Sequence, residues 1–185
     1  MTRLFPLLLL SSRVLAAVDT GYELWWQSNT TEVAQLEPLK LSGHGLPAWL
    51  NGMLVRTGPG QFEAGGVSVH HQFDGLAKLS KFSIRAGRVS FQTRFLGSAL
   101  RNVTIQQGRL PPYLTMCAMT PELDLRQRLE ALTRTNDINN IFLWRTGEHF
   151  FATSDATTAT NEFDPISLSP LGHTRVEGEI YAFWG

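Results

Sequence analysis

The stretch FSIRAGRVSFQTRF, residues 82–95, predicts a β-hairpin and sets the fold class of this 185-residue chain. From Arg88 to Phe95, polar and apolar residues alternate, which is the pattern of a strand with one buried face. The pair Ala86-Gly87 supplies the turn, because glycine takes a positive φ without a steric penalty. The stretch therefore predicts two antiparallel strands joined by a tight turn.

Short apolar runs separated by turn residues continue on both sides of this hairpin. From Gly43 onward, glycines recur between short runs of Val, Leu, Phe and Ile, which is typical of successive short strands. A second hairpin is predicted in NIFLWRTGEHFFATSD, residues 140–155, with its turn at residues 146–148. Its first strand, residues 141–144, is uninterruptedly apolar, and we expect it to be buried on both faces. The predicted fold class is all-β.

Composition excludes several classes of function. Apolar residues make up 43% of the chain and charged residues 17%, as in an ordered globular domain. Sixteen basic residues balance sixteen acidic ones, so the electrostatic basis for nucleic-acid binding is absent. Cys117 is the single cysteine, which rules out an intrachain disulfide and a thiolate metal cluster.

The chain divides into three parts. Residues 1–17 combine Arg3 with an apolar run, which predicts a secretory signal peptide or an apolar arm too short to span a membrane. Residues 18–42 are interpreted as an extended N-terminal arm packed by its tryptophans, and residues 43–185 as the β-rich body. Two glycosylation sequons, at Asn29 and Asn102, matter only if the chain enters the secretory route.

A loop with a short helix is predicted as an insertion at about residues 108–137, between the two hairpins. Thr120 is a candidate N-cap, with Pro121 at the first helical position. Three leucines fall on one face of this helix: Leu125, Leu129 and Leu132. The preceding residues, 110–119, are apolar, and they either pack on the body or touch a membrane.

Adjacent His70 and His71, followed by Asp74 and Gly75, invite a metal-site interpretation. Neighbours on a strand point to opposite faces, so the two imidazoles do not converge on one ion. The remaining histidines, His44, His149 and His173, provide no chelating pair at strand or helix spacing. We expect His71 to be structural and Asp74 to form a local Asx-type turn. The spacing predicts no metal site and no catalytic constellation in this chain.

Three motifs, in order and with matching spacing, resemble the N-terminal part of the carotenoid cleavage oxygenases. They are PAWLNGMLVRTGPG at residues 47–60, HQFDG at residues 71–75, and the strand at residues 89–96. The resemblance covers about residues 36–171. The positions that carry the family motifs, with a structural role, are Arg56, Gly58, Pro59, Gly60, His71, Phe73, Asp74 and Gly75.

The resemblance implies a partial seven-bladed β-propeller, first blades only, with the helical insertion. In that family four histidines from different blades hold Fe(II), and dioxygen cleaves a double bond of a carotenoid or apocarotenoid. His71 does not match an iron ligand, so no catalytic or metal residue is assigned in this chain. Fe(II) and a carotenoid or retinoid substrate are expected only for a full-length parent, and we expect this chain to be a truncated or fragmentary member that is inactive alone.

Further roles follow only from the resemblance. Asp155 falls where the family carries an acid that orients an iron-bound histidine without contacting the iron. Residues 110–119 match an apolar membrane-docking insertion, and the membrane-facing side chains would be Leu110, Tyr113, Leu114, Met116 and Cys117. The family implies a cytoplasmic or peripheral membrane location. Two alternatives remain open: a non-catalytic module that binds an apolar ligand or a membrane, and a secreted glycoprotein of interaction type.

Overall fold

The structure is a computed structural model that describes residues 25–155, 157 and 159–175. The predicted signal peptide or apolar arm lies outside the described residues. The elements run in the order β1 (Val33–Pro38), β2 (Gly52–Gln61), β3 (Glu63–Ala64), β4 (Val67–Ser68), β5 (Leu76–Arg85), β6 (Arg88–Phe95), α1 (Ala99–Gln107), α2 (Leu125–Thr133), β7 (Phe142–Thr146), β8 (His149–Thr153), β9 (Ala159–Phe163) and β10 (Pro170–Arg175). Across the described residues the fold is therefore mostly β, as predicted, with two short helices: α2 lies within the predicted helical insertion, and α1 is additional.

The strands form two four-stranded antiparallel sheets and one small hairpin. The first sheet has the order β1-β6-β5-β2, and the second has the order β10-β9-β8-β7. Strands β3 and β4 pair with each other, and Ser68 of β4 also forms an antiparallel backbone bridge with Thr120. Strand β1 lies within the region interpreted as an N-terminal arm, and its pairing with β6 makes that part of the arm a component of the first sheet.

The hairpin predicted from residues 82–95 is confirmed. In its register Phe82 lies opposite Phe91, and their ring centroids are 5.1 Å apart. Ala86 and Gly87 have φ angles of 50° and 74°, so both turn residues adopt the left-handed region. Two consecutive positive φ angles are what a two-residue hairpin turn requires to match the twist of its strands.

The second hairpin is also confirmed, but the burial predicted for its first strand is wrong. Phe142 and Trp144 are 54% and 39% exposed. Strand β7 is an edge strand, and only Leu143 among its side chains packs against the core between the sheets. A run of apolar residues indicates a strand, but its position in the sheet decides how many of its faces are covered.

Two hydrophobic cores hold the fold together. One lies between the two sheets, and its buried members are Ala77, Leu79, Leu96, Ala152, Phe163 and Leu168. The other lies around β4 and α1, and its buried members are Phe62, Val67, Val69, Leu76, Leu100, Leu110, Tyr113, Met119 and Ile138. Strand β5 enters both cores, because Leu76 belongs to one and Leu79 to the other.

Polar side chains of the first sheet also hold the turn between β9 and β10. The buried Lys81 ammonium donates to the backbone carbonyl of Ile166. Gln92 Nε2 donates to the carbonyl of Ser167 at 3.1 Å, and an Arg94 Nη atom donates to Ser169 Oγ at 3.0 Å. These contacts fix the second sheet against the first at the side remote from β7.

The helices differ from the prediction in number and in start. Helix α1 was not predicted, although Ser98 caps its N-terminus and Gly108 ends it in the left-handed conformation. Helix α2 exists, but its N-cap is Asp124, which forms a capping box with Gln127. Thr120 does not cap a helix; its hydroxyl lies 2.7 Å from His70 Nε2. Neither helix is long and apolar enough to cross a membrane.

Candidate functional site

The motif HQFDG forms a capped turn at the entrance to β5. His71 Nδ1 accepts a hydrogen bond from the backbone N–H of Phe73 at 3.1 Å, which begins a short 3-10 helix at Gln72–Asp74. An imidazole nitrogen that accepts from an N–H carries no proton, so its lone pair is already used. His71 therefore serves the backbone of its own turn.

The Asp74 carboxylate anchors a distant segment rather than a local turn. It accepts from the backbone N–H of Met116 at 2.9 and 3.0 Å and from that of Cys117 at 3.3 Å. The expected Asx-type turn is thus wrong, because these donors lie 42 and 43 positions away. The Tyr113 hydroxyl adds a further contact between the same two segments by donating to the Asp74 backbone carbonyl at 2.6 Å.

Burial is the main cause of the pKa shifts of Asp74 and Tyr113. It raises the pKa of Asp74 above its ordinary value of 3.8, and the hydrogen bonds from Met116 and Cys117 oppose this rise. Burial also raises the pKa of Tyr113, with a smaller contribution from the charge of Asp74. The Tyr113 hydroxyl therefore keeps its proton and acts as a hydrogen-bond donor.

A second residue, Asn140, holds the same turn from the other side. Its Nδ2 donates to the carbonyl of Phe73 at 3.1 Å and to that of Gly75 at 2.7 Å. The sequence analysis missed Asn140. The signal available was the polar run NDINN at residues 136–140, which ends directly before an apolar strand and is largely buried in the fold.

Two motif glycines are required by close packing. A Cβ added at Gly75 would lie 2.7 Å from Pro59 Cβ, and one added at Gly60 would lie 2.6 Å from Lys78 Cβ. Distances below 3 Å force a shift of the backbone or its neighbours. At Gly58, by contrast, an added Cβ would meet nothing within 4 Å. The motif in β2 thus contains glycines of two kinds, one closely packed and one bordering open space.

The open space beside Gly58 is a groove of about 480 Å³ on the outer face of the first sheet. Arg56, Gly58, Pro59 and Gly60 all contribute to its lining. Together with the turn at His71–Gly75, the motif residues are brought into one region of the fold, around the paired strands β2 and β5.

The predicted membrane-facing residues separate into two groups. Leu110 and Tyr113 are buried in the core around α1, so their assignment to a membrane-facing surface is wrong. Leu114, Met116 and Cys117 are exposed. The core buries Tyr113 and Met119 at the two ends of this stretch. Between them, Asp74 holds the backbone of Met116 and Cys117, while the side chains of both residues are exposed.

Helix α2 carries the most exposed apolar surface of this region. Leu125, Leu129 and Leu132 are 76%, 58% and 65% exposed. The sequence correctly placed them on one face, but among the described residues that face has no covering element. The buried residue of this helix is Ala131. The helix therefore turns its small residue inward and its large apolar residues outward.

Asp155 lies exposed in the turn that follows β8, next to the buried Ser154. Within the described part of the chain, no hydrogen bond fixes its carboxylate. Its assignment as an orienting acid stays a prediction.

The described histidines do not converge on a common point. His70 contacts Thr120, His149 Nδ1 lies 2.6 Å from Glu162 Oε1, and His173 Nδ1 lies 2.5 Å from Asn161 Oδ1. Across residues 25–155, 157 and 159–175, no group of three or more His, Cys, Asp or Glu side chains could hold a metal ion. The described residues therefore provide no site for the iron that the resemblance implies for a full-length parent.

Comparison with known proteins finds carotenoid dioxygenases among the relatives of this chain. The chain is 36% identical to the rat β,β-carotene 15,15′-dioxygenase over 145 residues, 74% of this chain and 25% of that protein. It is 42% identical to the mitochondrial carotenoid-cleaving dioxygenase of Mustela putorius furo over 151 residues, 77% of this chain and 26% of that protein. The chain thus spans about a quarter of the length of the curated relatives it matches.

Solved structures give the same result for the fold. A variant of the Synechocystis ACO matches with a TM-score of 0.66 at 24% identity, over 81% of this chain and 30% of that one. The family described as retinal pigment epithelial membrane protein matches residues 26–184. The chain therefore belongs to the retinal pigment epithelial membrane protein family, the family of the carotenoid oxygenases.

Proposed function

We propose that this chain supplies the first blades of a seven-bladed β-propeller whose parent oxygenase cleaves carotenoid or apocarotenoid double bonds with dioxygen. The family match over residues 26–184 carries the proposal, because the relatives it brings in are named as carotenoid dioxygenases. The two four-stranded antiparallel sheets packed on a shared core support it, because adjacent propeller blades pack face to face.

The cofactor of the parent enzyme would be Fe(II), which supplies the redox chemistry that dioxygen requires. A cobalt-substituted Synechocystis ACO, which matches this fold with a TM-score of 0.64, supports a transition-metal centre in such proteins. The described residues of this chain do not form that centre. Their part is structural: Asp74 and Asn140 fix the turn that joins β2, β5 and the segment at residues 113–117.

The experiment compares the chain alone with a chimera. The 185 residues are expressed by themselves, and also in place of the matching N-terminal region of the rat β,β-carotene 15,15′-dioxygenase. Bound iron and cleavage of β,β-carotene are measured for both. We expect iron and cleavage in the chimera and neither in the chain alone. One tightly bound iron per isolated chain would contradict the structural role, and an unfolded chimera would contradict the shared fold.

Helix α2 supports a second role, peripheral contact with a lipid surface. Its exposed leucine face is bordered by Arg126 and Arg128, of which Arg128 lies 3.9 Å from a Glu122 carboxylate oxygen, and Arg134 after its last turn pairs with Glu130. A short helix with large apolar residues on one side and arginines beside them is typical of segments that lie in the membrane interface. The exposed Leu114 and Met116 precede this helix in the chain and add apolar surface.

Cosedimentation with vesicles tests this role. Leu129→Glu should abolish binding to vesicles that contain anionic lipid, because it places a charge in the apolar face. Leu171→Glu is the matched control, since Leu171 is 60% exposed on β10 and outside this surface. Equal loss of binding in the two variants would contradict docking through α2.

A further inference from the structure

The surface that carries the α2 leucines lies at one end of the strands and not on a sheet face. Residues 96–141 connect β6 to β7. They leave β6 at Phe95, which pairs with Lys78 near the start of β5. Strand β2 ends at the same place, because Gln61 pairs with Leu76. Propeller blades pack through their sheet faces, so closure of the propeller proposed above covers those faces, whereas this connection stays at the strand ends.

Two apolar pieces of this connection are held together. Asn136, which follows α2, donates from Nδ2 to the Leu114 carbonyl at 2.9 Å. Asp74 holds the same segment through the backbone N–H of Met116. Leu123, just before the N-cap of α2, packs against the core around α1. We call the exposed apolar side chains of the two pieces the docking surface; they are Leu114, Met116, Leu125, Leu129 and Leu132.

The charges around the docking surface cancel. The stretch at residues 110–121 carries no charged side chain. Between residues 108 and 137 the four basic residues are Arg109, Arg126, Arg128 and Arg134, and the four acids are Glu122, Asp124, Glu130 and Asp137. This part of the chain therefore has a net charge of zero.

Two of the arginines also have acids as neighbours. Arg128 lies 3.9 Å from Glu122, and Arg134 pairs with Glu130 one turn earlier in the chain. An anionic membrane attracts each basic side chain near its surface and repels each acid. Pairs of opposite charge at the same depth therefore gain almost nothing from a negative surface potential.

The arginines beside the leucines suit a phosphate rather than a net negative surface. Arg126 and Arg128 fall on opposite sides of the leucine face, since each residue of an α-helix turns by about 100°. Long arginine side chains reach from an apolar face to the head groups, and a guanidinium binds phosphate oxygens through paired N–H donors. Phosphatidylcholine carries such a phosphate and no net charge.

We propose that the docking surface inserts into an electrically neutral phospholipid interface, and that anionic lipid adds nothing to its affinity. Burial of the leucines drives the insertion, and the flanking arginines bind phosphates that neutral lipid already provides. This inference rests on the lipid contact proposed above and names its lipid class.

Cosedimentation with two kinds of vesicle tests the lipid class. One kind is phosphatidylcholine alone, and the other is equal parts of phosphatidylcholine and phosphatidylserine. The 185-residue chain and the chimera with the rat dioxygenase are both measured. We expect the two dissociation constants to agree within about twofold, because the charges cancel. Addition of about 0.5 M NaCl, which screens exposed charges, should leave binding to both vesicles in place.

The possible failures separate the two proposals. Binding that requires phosphatidylserine, or that salt removes, would overturn the neutral lipid class and leave the docking role intact. Absence of binding to both kinds of vesicle would overturn the docking role and this inference together.

A double variant tests the charge balance directly. Glu122→Gln with Glu130→Gln keeps the leucines and removes two acids beside them. It should bind vesicles with phosphatidylserine at least about tenfold more tightly than the wild type, and phosphatidylcholine vesicles equally. Glu37→Gln with Glu148→Gln is the matched control, because both acids are exposed and lie outside this connection. It should change neither binding. No gain in the first pair, or an equal gain in both pairs, would overturn the proposal.

Discussion

The backbone N–H of Met116 donates to both carboxylate oxygens of Asp74, at 2.9 and 3.0 Å, although the residues are 42 positions apart in the chain. Asp74 is only 2% exposed, so water cannot easily replace it as the acceptor. This relationship ties the family motif HQFDG to the segment that precedes helix α2. The acid at residue 74 therefore has a role outside its own turn, which His71 already caps.

Asp74→Ala should destabilise the chain by about 1–3 kcal/mol, because it leaves the partly buried N–H groups of Met116 and Cys117 without their acceptor. Asp74→Asn should cost less, since one side-chain oxygen remains. Urea unfolding measures both. Asp155→Ala is the control: that aspartate is exposed, and its removal should change the free energy of unfolding by less than about 0.5 kcal/mol. Equal effects of the two alanine variants would contradict the anchoring role.

The pH dependence of stability should carry the signature of the raised Asp74 pKa. An acid whose pKa is higher in the folded state contributes stability that is fully present below its unfolded value of 3.8. That contribution is lost as the pH rises through the folded-state pKa. The free energy of unfolding of the wild type minus that of Asp74→Asn should therefore fall as the pH is raised above 3.8. A difference that grows with pH would show that hydrogen bonding outweighs burial at this carboxylate.

Gly75→Ala should destabilise the chain by about 1–3 kcal/mol, because the new methyl group would overlap Pro59 and Phe62. Gly58→Ala is the matched control in the same motif region. It meets open space and should be neutral or slightly stabilising, since alanine restricts the unfolded chain. Thermal unfolding of the two variants side by side measures the contrast. A tolerated alanine at residue 75 would show that the contact with Pro59 relaxes at little cost.

Asp124→Ala should weaken the start of helix α2 by about 1 kcal/mol, the usual cost of losing an N-cap. The backbone N–H of Gln127, which donates to Asp124 at 2.8 Å, should then exchange faster with solvent. Thr120→Ala should leave this amide unchanged, because Thr120 contacts His70 and not the helix. Faster exchange of Gln127 in the Thr120 variant would place the helix start where the sequence predicted it.

Asp137→Ala should loosen helix α1 by about 2 kcal/mol. The Asp137 carboxylate accepts from the N–H groups of Ala99 and Leu100 at 2.5 and 3.0 Å, although it lies after the other helix in sequence. Hydrogen exchange of Leu100 should rise in this variant. Helix α2 should keep its protection, which separates local loss of a cap from global unfolding.

Local patterns in the sequence predicted much of the fold but little of what joins its parts. The hairpins followed from alternation and from Ala86-Gly87, because turn geometry and strand pairing act over a few residues. The start of α2 was misplaced because Thr120 and Asp124 are both good caps; Asp124 caps the helix, whereas Thr120 contacts His70 and pairs with Ser68 through its backbone. Helix α1 was missed although the local signals for its two ends, Ser98 and Gly108, are in the sequence; only its additional acceptor, Asp137, is distant in the chain.

The sequence by itself determined the family, the two hairpins and the presence of a helix with a leucine face, since each rests on neighbouring residues or on motif identity. Only the tertiary structure decided which of those faces are covered. It placed Leu110 and Tyr113 inside and the leucines of α2 outside, and it turned Asp74 from a local cap into an anchor for Met116. Burial and long-range hydrogen bonds depend on which segments meet in space, and that information is spread over the whole chain.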